Sequence, residues 1–163
     1  MKTKTSISVA ALAAISAVAI GFCVGGAQLA RAHGGEEFAA GEPGDAKKPS
    51  RTIEVTMSEG SGTMTYAPPV IEVKKGEQIK LVVKNAGALK HEFFLDSFEH
   101  NAHHKIEMQK NPEMEHDDPN AQSVEPGKQV EVLWKFSKVG TFEFACLIPG
   151  HYEAGMHGKV VVK

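Results

Sequence analysis

From Thr52 to the carboxyl terminus, apolar residues recur with a period of two in short runs, each closed by turn-forming residues, and this pattern limits the possible folds more than any other feature. Ile53, Val55 and Met57 alternate with Thr52, Glu54 and Thr56 before a Gly/Ser turn at 58–62. Val70 to Val73 leads into the turn Lys74-Lys75-Gly76, followed by Gln78 to Lys84 and then His91 to Leu95. Further on, Glu125-Pro126-Gly127 precedes Gln129 to Phe136, Gly140 precedes Thr141 to Cys146, and Gly158 precedes Lys159 to Val162. Six or seven such strands without a core helix predict an all-β chain, a sandwich or a barrel. No internal repeat interrupts it.

Residues 96–124 break the alternation and read as an insertion. Its first half predicts a helix, with Asp96 as cap, Glu99 three residues on, and Asn111-Pro112 as the stop. A loop this long inside a small domain is either functional or disordered.

The amino terminus has a different character. Lys2 and Lys4 precede an uncharged stretch rich in Ala, Val and Ile that closes on Ala30-Arg31-Ala32, the pattern of a cleaved signal peptide over residues 1–32. The alternative is an uncleaved anchor, since about 20 apolar residues span a bilayer; the dominance of small residues favours cleavage. Bulky Phe22 before Cys23 argues against a lipid anchor. Cleavage removes three basic residues and no acidic one, leaving 15 basic against 20 acidic, a formal charge near −5. That balance argues against nucleic acid as a partner. Residues 33–50, with one large apolar side chain among Gly, Pro and mixed charge, read as a flexible tail, and residues 51–163 as the domain.

Cys146 is then the one cysteine of the exported chain, in a compartment that oxidises paired thiols. Either it is a buried small hydrophobe or it holds a metal. Phe142, Phe144 and Cys146 share one strand parity, which turns the sulfur inward where a loop begins. After four intervening residues comes His151, after four more comes Met156, and Gly158 opens the last strand. Thiolate, imidazole and thioether are a soft donor set suited to copper, one imidazole short of a His2Cys site with a weak axial Met. His91, at the start of its own strand, is able to supply it. Zinc is the competing metal, but structural zinc sites rarely use thioether.

In YAPPVIEVKKGEQIKLVVKNAG, KHEFFLD and FACLIPGHYEAGM the chain resembles the cupredoxins, the blue or type 1 copper proteins, over residues 52 to 163 apart from the insertion. The resemblance implies a Greek-key β-sandwich, one type 1 copper per chain, His91, Cys146 and His151 as equatorial ligands and Met156 as axial ligand. The insertion with its EMEHDDPN segment is similar to that of exported cupredoxins associated with copper tolerance. Glu92 stands where many cupredoxins place an Asn that ties the histidine loop to the residues around the cysteine.

A second cluster lies in the insertion. His100, His104 and Met108 are spaced four apart, His103 adjoins His104, and Met114 and His116 follow. They read either as a solvated helix and acidic loop or as a second, weaker copper site. Trp134 reads as core, with an electron relay as the alternative, and His157 as a solvated loop residue, with an electron entry point as the alternative. Three functions compete: an electron carrier, a copper-tolerance or copper-buffering protein, and an enzyme of the multicopper oxidase or nitrite reductase type. Ala145 and Leu147, where multinuclear oxidases carry histidines, weigh against the last. The expected partners are a redox protein such as a cytochrome, or copper-handling proteins, with no nucleic acid and no membrane insertion after cleavage.

Overall fold

The computed structural model describes residues 38–163. The predicted signal peptide and the first residues of the predicted tail, His33 among them, lie outside this range. In chain order the strands are β1 (Glu42–Pro43), β2 (Arg51–Glu59), β3 (Met64–Ala67), β4 (Val70–Val73), β5 (Gln78–Asn85) and β6 (His91–Asp96). Helix α1 (Phe98–Lys110) follows, and then β7 (Asp117–Asp118), β8 (Ala121–Val124), β9 (Gln129–Lys135), β10 (Gly140–Ala145) and β11 (His157–Val162). They form two sheets, ordered β1-β9-β5-β2-β3 and β4-β11-β10-β6-β8-β7.

The chain is a β-sandwich, and the period-two pattern is the reason. Ile79, Leu81 and Val83 of β5 turn into the core while Lys84 faces solvent. They meet Phe93 and Leu95 of β6 and Phe142 and Phe144 of β10 across the layer. The ring of Phe93 stacks on Phe144 at 5.4 Å, and Tyr66 meets Phe144 edge-on at 5.1 Å. Tyr66 also donates its hydroxyl hydrogen to the carbonyl of Glu92, which ties β3 to β6 across the sandwich.

Strand β6 departs from half-burial: all six of its residues are buried. Its inward parity belongs to the main core. Its outward parity lies beneath α1 and the loop after it, where Phe94 joins Met108, Ala121, Ala145 and Leu147 in a second small cluster. A strand covered on both faces loses the alternation that marks one covered on a single face.

Three expectations are corrected. Within residues 33–50, the described part is no flexible tail: Phe38 and Ala39 pack against the core, Ala40 is fully buried, and Glu42 and Pro43 pair with Lys135 and Trp134. The ring of Phe38 meets that of Trp134 edge-on at 5.1 Å. One aromatic anchor and two backbone pairings offset an ordering entropy that composition alone left unbalanced. The helix lies where the sequence placed it, but Ser97 is its cap, accepting the His100 N–H at 3.1 Å, while Asp96 accepts from the backbone N–H of Ser97. The insertion of 96–124 also ends early, because Ala121 to Val124 is a strand paired with Phe94 to His91.

Replacing Phe38 with Ala removes the aromatic anchor and is expected to cost about 1–2 kcal/mol in urea unfolding. An unchanged midpoint would mean that the strap adds nothing to the sandwich.

Candidate metal centre

The pairing of β6 with β10 sets Phe94 opposite Ala145, so the start of one strand and the end of the other reach the same rim. His91 opens β6 and Cys146 directly follows β10. As the parity argument anticipates, Phe142, Phe144 and Cys146 all belong to the main core, while Ala145 and Leu147 face the small cluster. The Glu92 N–H donates to Cys146 Sγ at 3.3 Å, which ties the two strands at the sulfur itself.

The loop after Cys146 is closed by its own backbone. The Ile148 carbonyl accepts from His151 N at 3.0 Å, the His151 carbonyl from Met156 N at 3.0 Å, and the Met156 carbonyl from Cys146 N at 3.0 Å. His151 is thereby turned back over the strand end, with Nδ1 at 3.3 Å from Cys146 Sγ and 3.1 Å from His91 Nδ1. The three donor atoms of His91, Cys146 and His151 lie within 4.8 Å of one another. Met156 is fully buried in the same core cluster as Cys146.

Electrostatics prepares these donors. Burial pushes the Cys146 thiol up to about 12, so without a metal it holds its proton at neutral pH. Burial also lowers both His91 and His151 below the usual imidazole value, and the His91 ring next to it lowers His151 further, which leaves both rings neutral. At His91 the tautomer is fixed by a carboxylate. Glu59 Oε1 lies 2.6 Å from Nε2, so the Nε2–H donates outward and the Nδ1 lone pair faces His151 and Cys146. Glu59 is held in turn by the N–H groups of Ala88 at 2.8 Å and Leu89 at 3.1 Å, and the Ala88 bond is the main reason its carboxyl sits below the ordinary range. Gly87 completes this cradle, since a Cβ there would collide with the Glu59 carboxylate.

A buried thiol and two neutral imidazoles with converging lone pairs fit a soft or borderline ion such as copper. A hydrolytic metal would be expected to keep an open, water-accessible position, whereas His91, Cys146 and Met156 are all fully buried.

The insertion histidines separate. His104 Nε2 and His116 Nε2 are 3.1 Å apart, and both rings pack on Phe94. His100 is instead tied to Asp96 at 2.7 Å, His103 is exposed, Met108 is fully buried in the small cluster, and Met114 is packed against that cluster's edge. Trp134 is fully buried and His157 is exposed, stacked on Tyr152 at 4.6 Å. Two residues escaped the sequence reading. Glu59 lies 32 positions from His91 with no motif to connect them, and Glu92 was noticed only as a departure from Asn. Glu92 is 1% exposed, and burial pushes its carboxyl up to about 7 against the pull of Lys90 and the Leu147 N–H.

Residues 53–163 match the family of copper binding proteins of the plastocyanin/azurin type. A copper-resistant cuproprotein CopI of Rubrivivax gelatinosus is 49% identical over 123 residues, spanning 76% of this chain and 73% of that protein. Its counterpart in Pseudomonas aeruginosa is 41% identical over 166 residues, spanning 84% and 88%. Among solved structures, dithionite-reduced auracyanin from Roseiflexus castenholzii superposes with a TM-score of 0.57 at 25% identity, covering 71% of this chain and 99% of its own.

Two outcomes follow from these electrostatics. Cupric binding at neutral pH displaces one proton, from Cys146 Sγ and not from the imidazoles, so affinity rises about tenfold per pH unit between 7 and the thiol's value. Calorimetry in buffers of different ionisation enthalpy reads that proton directly. Glu59→Gln removes the charge behind His91 and is expected to weaken copper retention about ten- to a hundred-fold against a competing chelator; an unchanged competition curve would show that the hydrogen bond orients nothing.

Proposed function

Because the chain belongs to the plastocyanin/azurin family of copper binding proteins, with copper-resistant cuproproteins among its relatives, we propose that it is an exported type 1 copper protein serving copper tolerance by electron transfer. His91, Cys146 and His151 would hold one copper, with the thioether of Met156, buried in the same cluster as Cys146, as a fourth donor. The observation that carries this reading is the convergence of a buried thiol and two neutral Nδ1 atoms within 4.8 Å at the ends of packed strands.

Bound copper supplies a one-electron cupric/cuprous couple. The chain supplies everything that makes the couple fast. Strands β6 and β10 and the closed 146–156 loop would hold the donors in place whichever oxidation state a bound copper took. Glu59 keeps His91 in the ligating tautomer, and burial keeps water from competing.

The basic n-region, apolar stretch and Ala30-Arg31-Ala32 site support secretion to the periplasm. No helix among the described residues is long and apolar enough to cross a membrane. A mature charge near −5 suits docking against a basic face, as on a cytochrome or another copper-handling protein. Ala145 and Leu147 beside Cys146 leave no histidine there to lead toward a multinuclear cluster, which supports a carrier rather than an oxidase. A second reading, copper buffering by the insertion, draws on the meeting of His104 with His116.

Purified protein given cupric salt under air is expected to develop intense visible absorption with one tightly held copper, both abolished in Cys146→Ser. Material that stays colourless would sink the assignment. In a deletion strain, a growth defect that appears only with added copper, rescued by the native gene and not by Cys146→Ser, supports tolerance; a defect without added metal points to a respiratory carrier.

A further inference from the structure

Helix α1 packs on the outward face of β6 and β10 and reaches past them to the loop that carries His151 and Met156. Between those two residues lies the turn 152–155, and two of its residues are held from α1. Lys105 Nζ donates to Glu153 Oε1 at 2.9 Å and sits 4.4 Å from the centre of the Tyr152 ring. The Tyr152 hydroxyl donates to Glu143 Oε1 at 2.9 Å, and the other oxygen of that carboxylate accepts from Asn101 Nδ2 at 3.1 Å. Asn101 on α1, Glu143 on β10 and Tyr152 on the loop thus form one connected row.

Burial decides what the row is worth. The Lys105–Glu153 pair is partly exposed, and a surface ion pair of this kind contributes little by itself. Glu143 is 2% exposed and Asn101 1%, so their bonds form away from water, where a partner left unmade is costly. The Tyr152 ring joins the two halves, because its face takes the ammonium and its hydroxyl reaches the carboxylate.

The competing reading is that these contacts only seat the helix on the sheet. Seating is already provided by Met108, fully buried in the small cluster. Lys105 and Tyr152 act instead on the turn. Its backbone bonds, Ala154 N to the Gly150 carbonyl and Gly155 N to the Tyr152 carbonyl, both at 3.0 Å, close it on itself and leave it able to tilt as a unit. A tie from β3, where Met64 N donates to the Ala154 carbonyl at 2.9 Å, and the ties from α1 remove that freedom.

We propose that Lys105 and Tyr152, backed by Glu143 and Asn101, are positioning residues for the metal centre: they lock the turn 152–155 to α1 and so hold His151 and Met156 in place before a metal arrives. The proposal rests on the reading of His151 and Met156 as ligands. It gives the insertion a mechanical part in the redox centre that requires no metal of its own.

Amide hydrogen exchange on the metal-free full chain reads the lock with no copper present. Lys105→Met keeps the aliphatic stem and loses the ammonium, and Tyr152→Phe keeps the ring and loses the hydroxyl. Each is expected to speed exchange of the Ala154, Gly155 and Met156 amides about tenfold, while the Leu81 and Val83 amides of β5 keep the rates of the unsubstituted chain. Lys105→Arg restores the protection. In the copper-loaded chain the first two variants keep the intense visible band, change the copper hyperfine splitting in electron paramagnetic resonance, and release copper to a chelator about tenfold faster. Lys105→Arg matches the unsubstituted chain in all three. Unchanged exchange at 154–156 in both variants overturns the lock. So does faster exchange shared by β5, the mark of a global loss of stability, and so does an unchanged rate of copper release. An unsubstituted chain that stays colourless with cupric salt fails the ligand assignment, and the exchange measurement still decides whether α1 holds the turn.

Discussion

The antiparallel pairing of β6 with β10 is the constraint on which the rest hangs. With Phe94 opposite Ala145, the residues beyond that pair are brought to one rim regardless of their separation along the chain, and there the Glu92 N–H reaches Cys146 Sγ. A backbone donor aimed at sulfur stabilises the thiolate that a metal requires. It also fixes the direction from which His91 approaches. The second imidazole needs no distant partner, because the loop from Cys146 to Met156 folds back on its own hydrogen bonds.

Parity then divides the labour. Inward positions of β6 and β10, with Cys146 directly after β10, carry Phe93, Leu95, Phe142, Phe144 and the sulfur into the main core, and His91 is buried on the same parity of β6. Outward positions carry Glu92, Phe94, Glu143 and Ala145 toward α1 and its following loop. The His91–Cys146–His151 cluster and the His104–His116 pair thus lie on opposite faces of β6, separated by the thickness of a backbone.

What was legible in the sequence follows from the range of each interaction. Strands β2, β5 and β9 were readable because one face is more buried than the other, and β10 because Phe142 and Phe144 alternate with polar Thr141 and Glu143, although Glu143 is itself buried. Strand β3 alternates but is only four residues long on a sheet edge, too short for a pattern to stand out, and β8, whose polar Gln122 and Ser123 hide its pairing, carries no such alternation. Cys146, His151 and Met156 lie on one short loop, so spacing alone exposed them, and His91 was found as the imidazole the set lacked. Glu59 was not readable, because nothing local links the end of β2 to a ring on β6. The insertion gave its histidines to the sequence but not their sorting: helical spacing put His100, His104 and Met108 on one stripe, whereas the acid at Asp96 draws His100 away and His104 turns to His116. The anchoring role of Phe38 is not legible because a single aromatic in a Gly- and Pro-containing stretch has no period to read.

The burial of β6 on both sides has an evolutionary corollary. An ordinary strand drifts freely on its wet face, but every position from His91 to Asp96 must satisfy neighbours in one compartment or the other, and each shift of the backbone is felt in both. A substitution on one side of this strand is therefore felt on the other, and loss of α1 and its following loop would bare Glu92 and Phe94 to water on the backbone that carries His91.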